Sequence, residues 1–191
     1  TGVAPEKKRW YVKAPVFSFS KIRGADAYLS PEMKSTGEAI GYDDKLNRAL
    51  YKALQASGVK MKDYGTVVVT LADEDKEEAL PLVRRFYRLG FNIEATAGTA
   101  HFLKQHGIRT RLRGKLSEGS TEILDSIRAG YVSYILNTRA IFSGTHFVDG
   151  AAIRRCAVQN GVTMFTSLDT VRILLDALEE TVPQISTIDG Q

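Results

Sequence analysis

Residues 66–96, TVVVTLADEDKEEALPLVRRFYRLGFNIEAT, decide the fold. The stretch opens with a β-branched apolar run without alternation, which is typical of a strand buried on both faces of a parallel sheet. An amphipathic segment follows from about Asp75 to Leu89, and Gly90 ends it before a second apolar run begins at Phe91. A strand, a helix and a strand in this order predict a parallel β-α-β unit.

The same alternation continues along the chain, with further predicted strands in IRTRLRG from Ile108, YVSYILN from Tyr131 and VTMF from Val162. We therefore predict an α/β fold, a three-layer sandwich with a five-stranded parallel sheet.

Two of the predicted helices have specific features. Ser167 is the expected N-cap of the last helix. In the helix of the first unit, Pro81 should introduce a kink or delay the start, and five side chains are predicted to face inward. They are Ala79, Leu80, Val83, Phe86 and Tyr87.

Residues 1–57 do not follow this alternation. They contain one strand-like run, WYVKAPVFSF from Trp10, and one predicted helix over 43–57 with Leu46, Leu50 and Leu54 on a stripe. One strand and one helix cannot bury a core. We therefore predict two parts, an N-terminal extension over 1–57 and the α/β domain over 58–191.

Composition limits the protein class. The chain has 191 residues, 43% hydrophobic and 25% charged, with no apolar run long enough to cross a bilayer. A single cysteine, Cys156, excludes an internal disulfide and is expected on the buried face of a helix. No signal segment is recognisable, so we expect a cytoplasmic protein without a membrane partner. The start at Thr1 indicates a processed chain or a piece of a longer one.

The net charge of +4 is unevenly distributed. Residues 1–57 hold 10 Lys and Arg against 6 Asp and Glu, whereas residues 58–191 hold 16 of each. A nucleic-acid-binding domain needs a basic face, and the balanced second part does not predict one. Nucleic acid is therefore not expected as a partner.

Candidate ligand-binding residues follow the predicted strands. In open parallel sheets ligands bind at the carboxyl ends of the strands, where helix N-termini favour anions. Apart from carboxylates, the side chains at these positions are hydroxyls, an amide and two lysines, which suits a phosphate group. They are Lys76, Thr96, Thr99, Lys115, Asn137, Thr138 and Thr166.

Each of these signals has a structural alternative. The turn from Thr96 to Thr99 is compatible with simple helix capping, and Asn137 with a strand-ending turn. The alternating positive charges from Arg109 to Lys115 are compatible with a solvated edge strand. The three histidines lack metal-ligand spacing and no Ser/His/Asp set is in place, so neither a metal nor a catalytic residue is predicted.

One stretch carries a family resemblance. VKAPVFSFSKIRGADAYLSPEMKSTGEAIG, residues 12–41, resembles the end of the second ATP-grasp unit in the large subunit of carbamoyl-phosphate synthases, and PEMKSTGE is its most specific part. The remainder is similar to that subunit's regulatory domain, which has a methylglyoxal-synthase-like, Rossmann-like fold. The resemblance covers nearly the whole chain. It implies that residues 1–57 are the trailing segment of a synthetase unit and that residues 58–191 are a noncatalytic allosteric domain.

The resemblance also implies a parent enzyme and partners. Carbamoyl-phosphate synthases are glutamine-hydrolysing ligases that make carbamoyl phosphate from glutamine or ammonia, bicarbonate and ATP, with Mg or Mn, for pyrimidine and arginine biosynthesis. Expected partners are the remainder of the large subunit, the glutaminase small subunit and possible further copies of the chain. No cofactor is expected in this fragment.

Regulatory domains of this family bind UMP, IMP or phosphoribosyl pyrophosphate. The resemblance assigns Thr70, Lys76, Thr96, Thr99, Lys115 and Asn137 to effector-binding positions, with Thr138 or Arg139 at another. Thr166 matches a position that contacts ornithine in ornithine-activated members. The glutamate of those members is Ala14 here, which argues against ornithine activation.

Two other functions stay open. A stand-alone lyase of the methylglyoxal synthase type is one, but the catalytic aspartates of those enzymes are replaced by Gly119 and Thr138 in this sequence. An assembly surface that binds no ligand is the other.

Overall fold

The computed structural model describes residues 9–16, 37–138 and 145–181; residues 31–36 of the PEMKSTGE segment and Arg139 lie outside them. The strands are Trp10–Val16 (β1), Gly37–Asp43 (β2), Thr66–Thr70 (β3), Asn92–Thr96 (β4), Thr110–Arg113 (β5), Val132–Asn137 (β6) and Thr163–Phe165 (β7). The helices are Leu46–Ala56 (α1), Lys76–Arg88 (α2), Ala97–Gln105 (α3), Glu122–Arg128 (α4), Thr145–Gln159 (α5) and Leu168–Thr181 (α6). Two 3-10 turns, Asp73–Asp75 and Leu116–Glu118, follow β3 and β5.

The predicted parallel sheet is confirmed. Its strand order is β5-β4-β3-β6-β7, and every pair is parallel. All five residues of the central strand β3 are buried, which explains its continuous β-branched run. From β3 the chain adds β4 and β5 on one side of the sheet, and then adds β6 and β7 on the other side. The carboxyl ends of β3 and its neighbours therefore form a topological switch point.

Helices cover both faces of the sheet. Side chains of α2, α3 and α6 pack with Val67, Val69 and Leu136 on one face. Side chains of α4 and α5 pack with Val68 and Ile135 on the other, which we call the α4–α5 face. Cys156 is buried in that second layer, as predicted.

The helix α2 departs from its prediction in one respect. It continues through Pro81 to Arg88, after a 3-10 turn. Tyr87 is 39% exposed, whereas Leu82 is buried, so the predicted inward position of Tyr87 is wrong. The inward stripe of α2 contains Ala79, Leu82, Val83 and Phe86, which places Tyr87 at its margin.

The N-terminal extension contains a second strand that the sequence pattern did not reveal. β1 and β2 form an antiparallel pair, and α1 packs on it. The predicted leucine stripe is wrong at Leu46, which is exposed; Leu50 and Leu54 are half-buried, and the fully buried residues of α1 are Ala49 and Ala53. A Cβ atom added at Gly41 would collide with backbone atoms of both alanines, so hairpin and helix meet at backbone distance. Only small side chains fit such a contact.

The extension also touches the α/β domain. α1 contacts α6, and the Asn47 amide donates a hydrogen bond to Glu180 at 3.1 Å. The division at residue 57 stays a prediction. None of the described helices is both long and apolar enough to span a membrane.

Candidate anion-binding site

Three polar side chains form a row across the carboxyl ends of neighbouring strands. Thr70 of β3 is in register with Asn137 of β6, and Thr96 of β4 follows the registered pair Val69 and Ala95. Side chains in register in a parallel sheet point to the same face. Thr70, Thr96 and Asn137 therefore lie together on the α4–α5 face, and each is at least nine-tenths buried.

Two of these side chains carry unsatisfied polar atoms. The Oγ1 atoms of Thr70 and Thr96 are buried and have no hydrogen-bond partner among the described residues. A buried hydroxyl without a partner costs about 1–3 kcal/mol, so such atoms are uncommon in folded proteins. The two hydroxyls lie on the ends of the adjacent strands β3 and β4.

Two further threonines hold the loop after β3. Thr99 Oγ1 accepts a hydrogen bond from the Leu71 amide at 3.2 Å, and Thr138 Oγ1 accepts one from the Ala72 amide at 3.2 Å. Each hydroxyl still has its own proton to donate. These contacts fix the path of the chain between Thr70 and the first turn of α2.

Lys76 lies over the start of α3. Its ammonium forms an ion pair with Asp73 at 2.6 Å and lies 5.9 Å from the centre of the Phe102 ring. A Cβ atom added at Gly98 would be 3.8 Å from Lys76 Nζ, which places the charge beside the first turn of α3. The lysine side chain is 18% exposed and that of Asp73 is 89% exposed, so the carboxylate is the more accessible partner.

Lys115 has a similar arrangement after β5. Its ammonium pairs with Glu118 at 3.2 Å, and the lysine is again less exposed than the carboxylate. The turn that carries Lys115 is connected to α5, because the Ser117 amide donates to Asp149 Oδ2 at 3.0 Å. Asp149 lies on α5 and was not among the site residues predicted from the sequence.

The predicted solvated row on β5 is wrong for Arg113. Arg109 and Arg111 are exposed, but Arg113 donates two hydrogen bonds to the buried Glu94 carboxylate, at 2.8 and 2.7 Å. Ser126 Oγ donates a third to Glu94 at 3.1 Å. The hydrogen bonds to Glu94 raise the pKa of the Arg113 guanidinium above its usual value. The sequence does contain a signal for this ion pair. Glu94 is a single carboxylate within the apolar run FNIEAT, and a buried charge needs a partner.

Thr166 belongs to a different environment. It lines a hollow of about 230 Å³ with three acidic residues, Asp75, Glu78 and Asp169. Three carboxylates in one hollow repel a phosphate group, which is also negatively charged. Thr138 lines the same hollow, so the predicted rim divides into a part that carries Lys76 and Lys115 and an acidic part that contains Thr138 and Thr166.

The described residues contain no group of three or more metal-ligating side chains. His101 lies on the exposed face of α3 beside Gln105, and a ring nitrogen of His106 is 2.9 Å from the Phe102 carbonyl oxygen. Gly119 ends the turn after β5 in a left-handed conformation, with φ of 83°, and carries no acid or base. His146 lies in a part of α5 whose side chains are not described.

The chain is similar to a family of known domains and to solved structures. Residues 78–166 match the family model of the MGS-like domain. A methylglyoxal synthase from Elizabethkingia anophelis NUHP1, known from a crystal structure, is 13% identical. That similarity has a TM-score of 0.48 and covers 60% of this chain and 79% of the synthase.

Proposed function

We propose that this chain is an allosteric effector-binding domain of a carbamoyl-phosphate synthase large chain, and that its effector is a phosphorylated nucleotide or phosphoribosyl compound. The observation that carries the proposal is the pair of unsatisfied hydroxyls at Thr70 and Thr96. The match of residues 78–166 to the MGS-like domain supports the proposed type of domain.

The chemistry of the site suits a phosphate. Phosphate oxygens accept hydrogen bonds, and threonine hydroxyls and the Asn137 amide can donate them. Lys76 supplies positive charge after β3, the middle strand of the row, and Lys115 supplies it after β5, the strand next to β4. Charge-assisted hydrogen bonds to such groups are worth about 1.5–3 kcal/mol each, which is sufficient to select anions.

Both lysines are paired with carboxylates in the structure. Asp73 and Glu118 are each three residues from their lysine and more exposed than it is. A phosphate that binds here takes over the ammonium groups and displaces these carboxylates towards solvent. Since exposed ion pairs are worth less than about 1 kcal/mol, the exchange costs little.

The remainder of the large subunit is the proposed partner of the N-terminal extension. Three apolar side chains on one face of its hairpin, Tyr11, Ile40 and Tyr42, are more than half exposed. Alternation along β1 and β2 places them opposite the face that α1 covers. An exposed aromatic surface on a two-stranded sheet is suited to packing against a further domain.

Calorimetric titration of the chain with UMP, IMP and phosphoribosyl pyrophosphate tests the proposal. At least one of the three should bind, and inorganic phosphate should compete with it. Lys76→Ala should weaken the binding, whereas Lys104→Ala, at the far end of α3, should not. Absence of binding by all three ligands would reject the effector site.

The alternative is a stand-alone phospho-sugar lyase of the methylglyoxal synthase type. Asp149 favours it, because this carboxylate reaches the turn that carries Lys115 and offers a base near the site. A turnover assay with dihydroxyacetone phosphate separates the two functions. Formation of methylglyoxal that is lost in Asp149→Asn would establish the lyase and reject the noncatalytic domain.

A further inference from the structure

A second cavity lies at the opposite end of the sheet. At the amino ends of β3, β4 and β5 the structure has a cleft of about 660 Å³, a volume typical of small-molecule sites. It shares no lining residue with the anion-binding site. Its walls combine three aromatic rings with two arginines: Tyr87, Phe91, Tyr131, Arg109 and Arg111.

One aromatic wall is held in place by its own hydroxyl. Tyr131 OH donates to Ser126 Oγ at 2.9 Å and accepts from Arg113 Nη2 at 3.2 Å. The residue nevertheless remains 41% exposed. A fixed and accessible ring loses little conformational freedom when a flat molecule stacks on it, which favours binding.

The two arginines of the cleft outnumber its one lining carboxylate, Glu94. Arg111 lies on the edge strand β5, Arg109 immediately precedes that strand, and both arginines line the cleft. Arg109 forms no ion pair with any residue that the structure describes. Arg111 is 3.8 Å from Glu94, but that carboxylate already accepts hydrogen bonds from Arg113 and Ser126. Both guanidinium groups are therefore available to an anion.

We propose that this cleft is a second ligand site and that it takes a small molecule in which a flat ring carries an anionic group. The ring stacks against Tyr131 or Tyr87, and a carboxylate or phosphate receives the paired N–H donors of the arginines. An aliphatic anion leaves the aromatic walls unused, and a neutral ring leaves the arginines unused. This proposal does not depend on the effector site.

Amide chemical-shift mapping on the full chain tests it with two probes, indole-3-acetate and adenosine 5′-monophosphate. We expect shifts at Gly65, Asn92 and Arg111 that saturate, and the tighter probe identifies the anion as carboxylate or phosphate. Indole-3-acetamide, which keeps the ring and lacks the charge, should bind at least about tenfold more weakly. The nucleotide arm is run in Lys76→Ala/Lys115→Ala protein, so that the other end of the sheet does not contribute.

Matched variants localise the effect. Arg109→Ser/Arg111→Ser should weaken the better probe about tenfold or more. Arg128→Ser removes another exposed arginine, on α4 and outside the cleft, and should leave the affinity unchanged. The proposal is overturned if neither probe shifts the cleft amides at millimolar concentration, or if the double arginine variant binds as tightly as the parent protein.

Discussion

The two ends of the parallel sheet are formed by the same strands but leave different groups available. At the carboxyl ends, two buried hydroxyls lack partners and two lysines are paired with exposed carboxylates. At the amino ends, aromatic rings line a cleft and two exposed arginines border it. The same sheet therefore has buried polar side chains at one end and a cleft lined by aromatic side chains at the other.

The Glu94–Arg113 ion pair lies between the two ends of the sheet. Its removal should cause the largest change in the free energy of unfolding. Arg113→Met leaves the Glu94 carboxylate buried with only Ser126 and a distant Arg111, so the free energy of unfolding should fall by about 3–5 kcal/mol. Urea denaturation measures the change. Glu94→Gln/Arg113→Met should recover part of the loss, and Arg111→Met should cost less than about 1 kcal/mol. A mild effect of Arg113→Met would show that Glu94 does not need this partner.

Alkaline pH should destabilise the fold through Tyr134. Its hydroxyl donates to the Lys62 carbonyl at 2.7 Å, and burial raises its pKa from 10.0 to about 12. The pKa of this phenol is higher in the folded protein than in the unfolded chain, so folding favours the protonated hydroxyl. The resulting stabilisation of the fold is complete below about pH 10 and is lost as pH rises to about 12. The total is about 2–3 kcal/mol. The difference in unfolding free energy between the parent protein and Tyr134→Phe should shrink over this range; a constant difference would contradict the assignment.

The two lysines at the carboxyl ends should determine effector affinity. Lys76→Ala and Lys115→Ala each remove one charge-assisted hydrogen bond worth about 1.5–3 kcal/mol, so binding should weaken about tenfold to a hundredfold. Calorimetry at a fixed salt concentration gives the values. If Lys115→Ala has no effect, the site lies between β3 and β4 alone. If neither variant has an effect, the carboxyl ends do not form the phosphate site.

The carboxylates that pair with these lysines should oppose binding. Asp73→Asn or Glu118→Gln releases an ammonium group from an exposed pair worth about 0.3–0.5 kcal/mol, so the effector should bind about twofold more tightly. Glu77→Gln, an exposed neighbour on α2 outside these two pairs, is the matched control. Weaker binding in Asp73→Asn would indicate that this carboxylate positions Lys76 instead of competing for it.

The pattern of strands, helices and polar strand ends was predictable because it is local. β3 has a continuous apolar run, and the residues after each strand of a parallel sheet meet at one edge whatever the details of packing. This is why Lys76, Thr96 and Asn137 were identified from the sequence.

The errors concern contacts between distant segments. The partner of Glu94 depends on the register of β4 and β5, which periodicity does not give. The burial of Ala49 and Ala53 depends on the close approach of α1 to Gly41, and the leucines of α1 gave the stronger pattern. The aromatic cleft depends on Tyr87 and Tyr131, which lie far apart in the sequence.

We propose that the unpartnered hydroxyls of Thr70 and Thr96 form hydrogen bonds with a phosphate ligand. The double variant Thr70→Val/Thr96→Val is the most direct test of this proposal. Valine removes two buried unpartnered hydroxyls while it nearly keeps their shape, so the free energy of unfolding of the ligand-free protein should rise by about 1 kcal/mol or more. Effector affinity should fall, by about twofold to tenfold for each lost hydrogen bond. Loss of stability together with unchanged affinity would contradict the account, because the hydroxyls would then be part of the fold and not of a binding site.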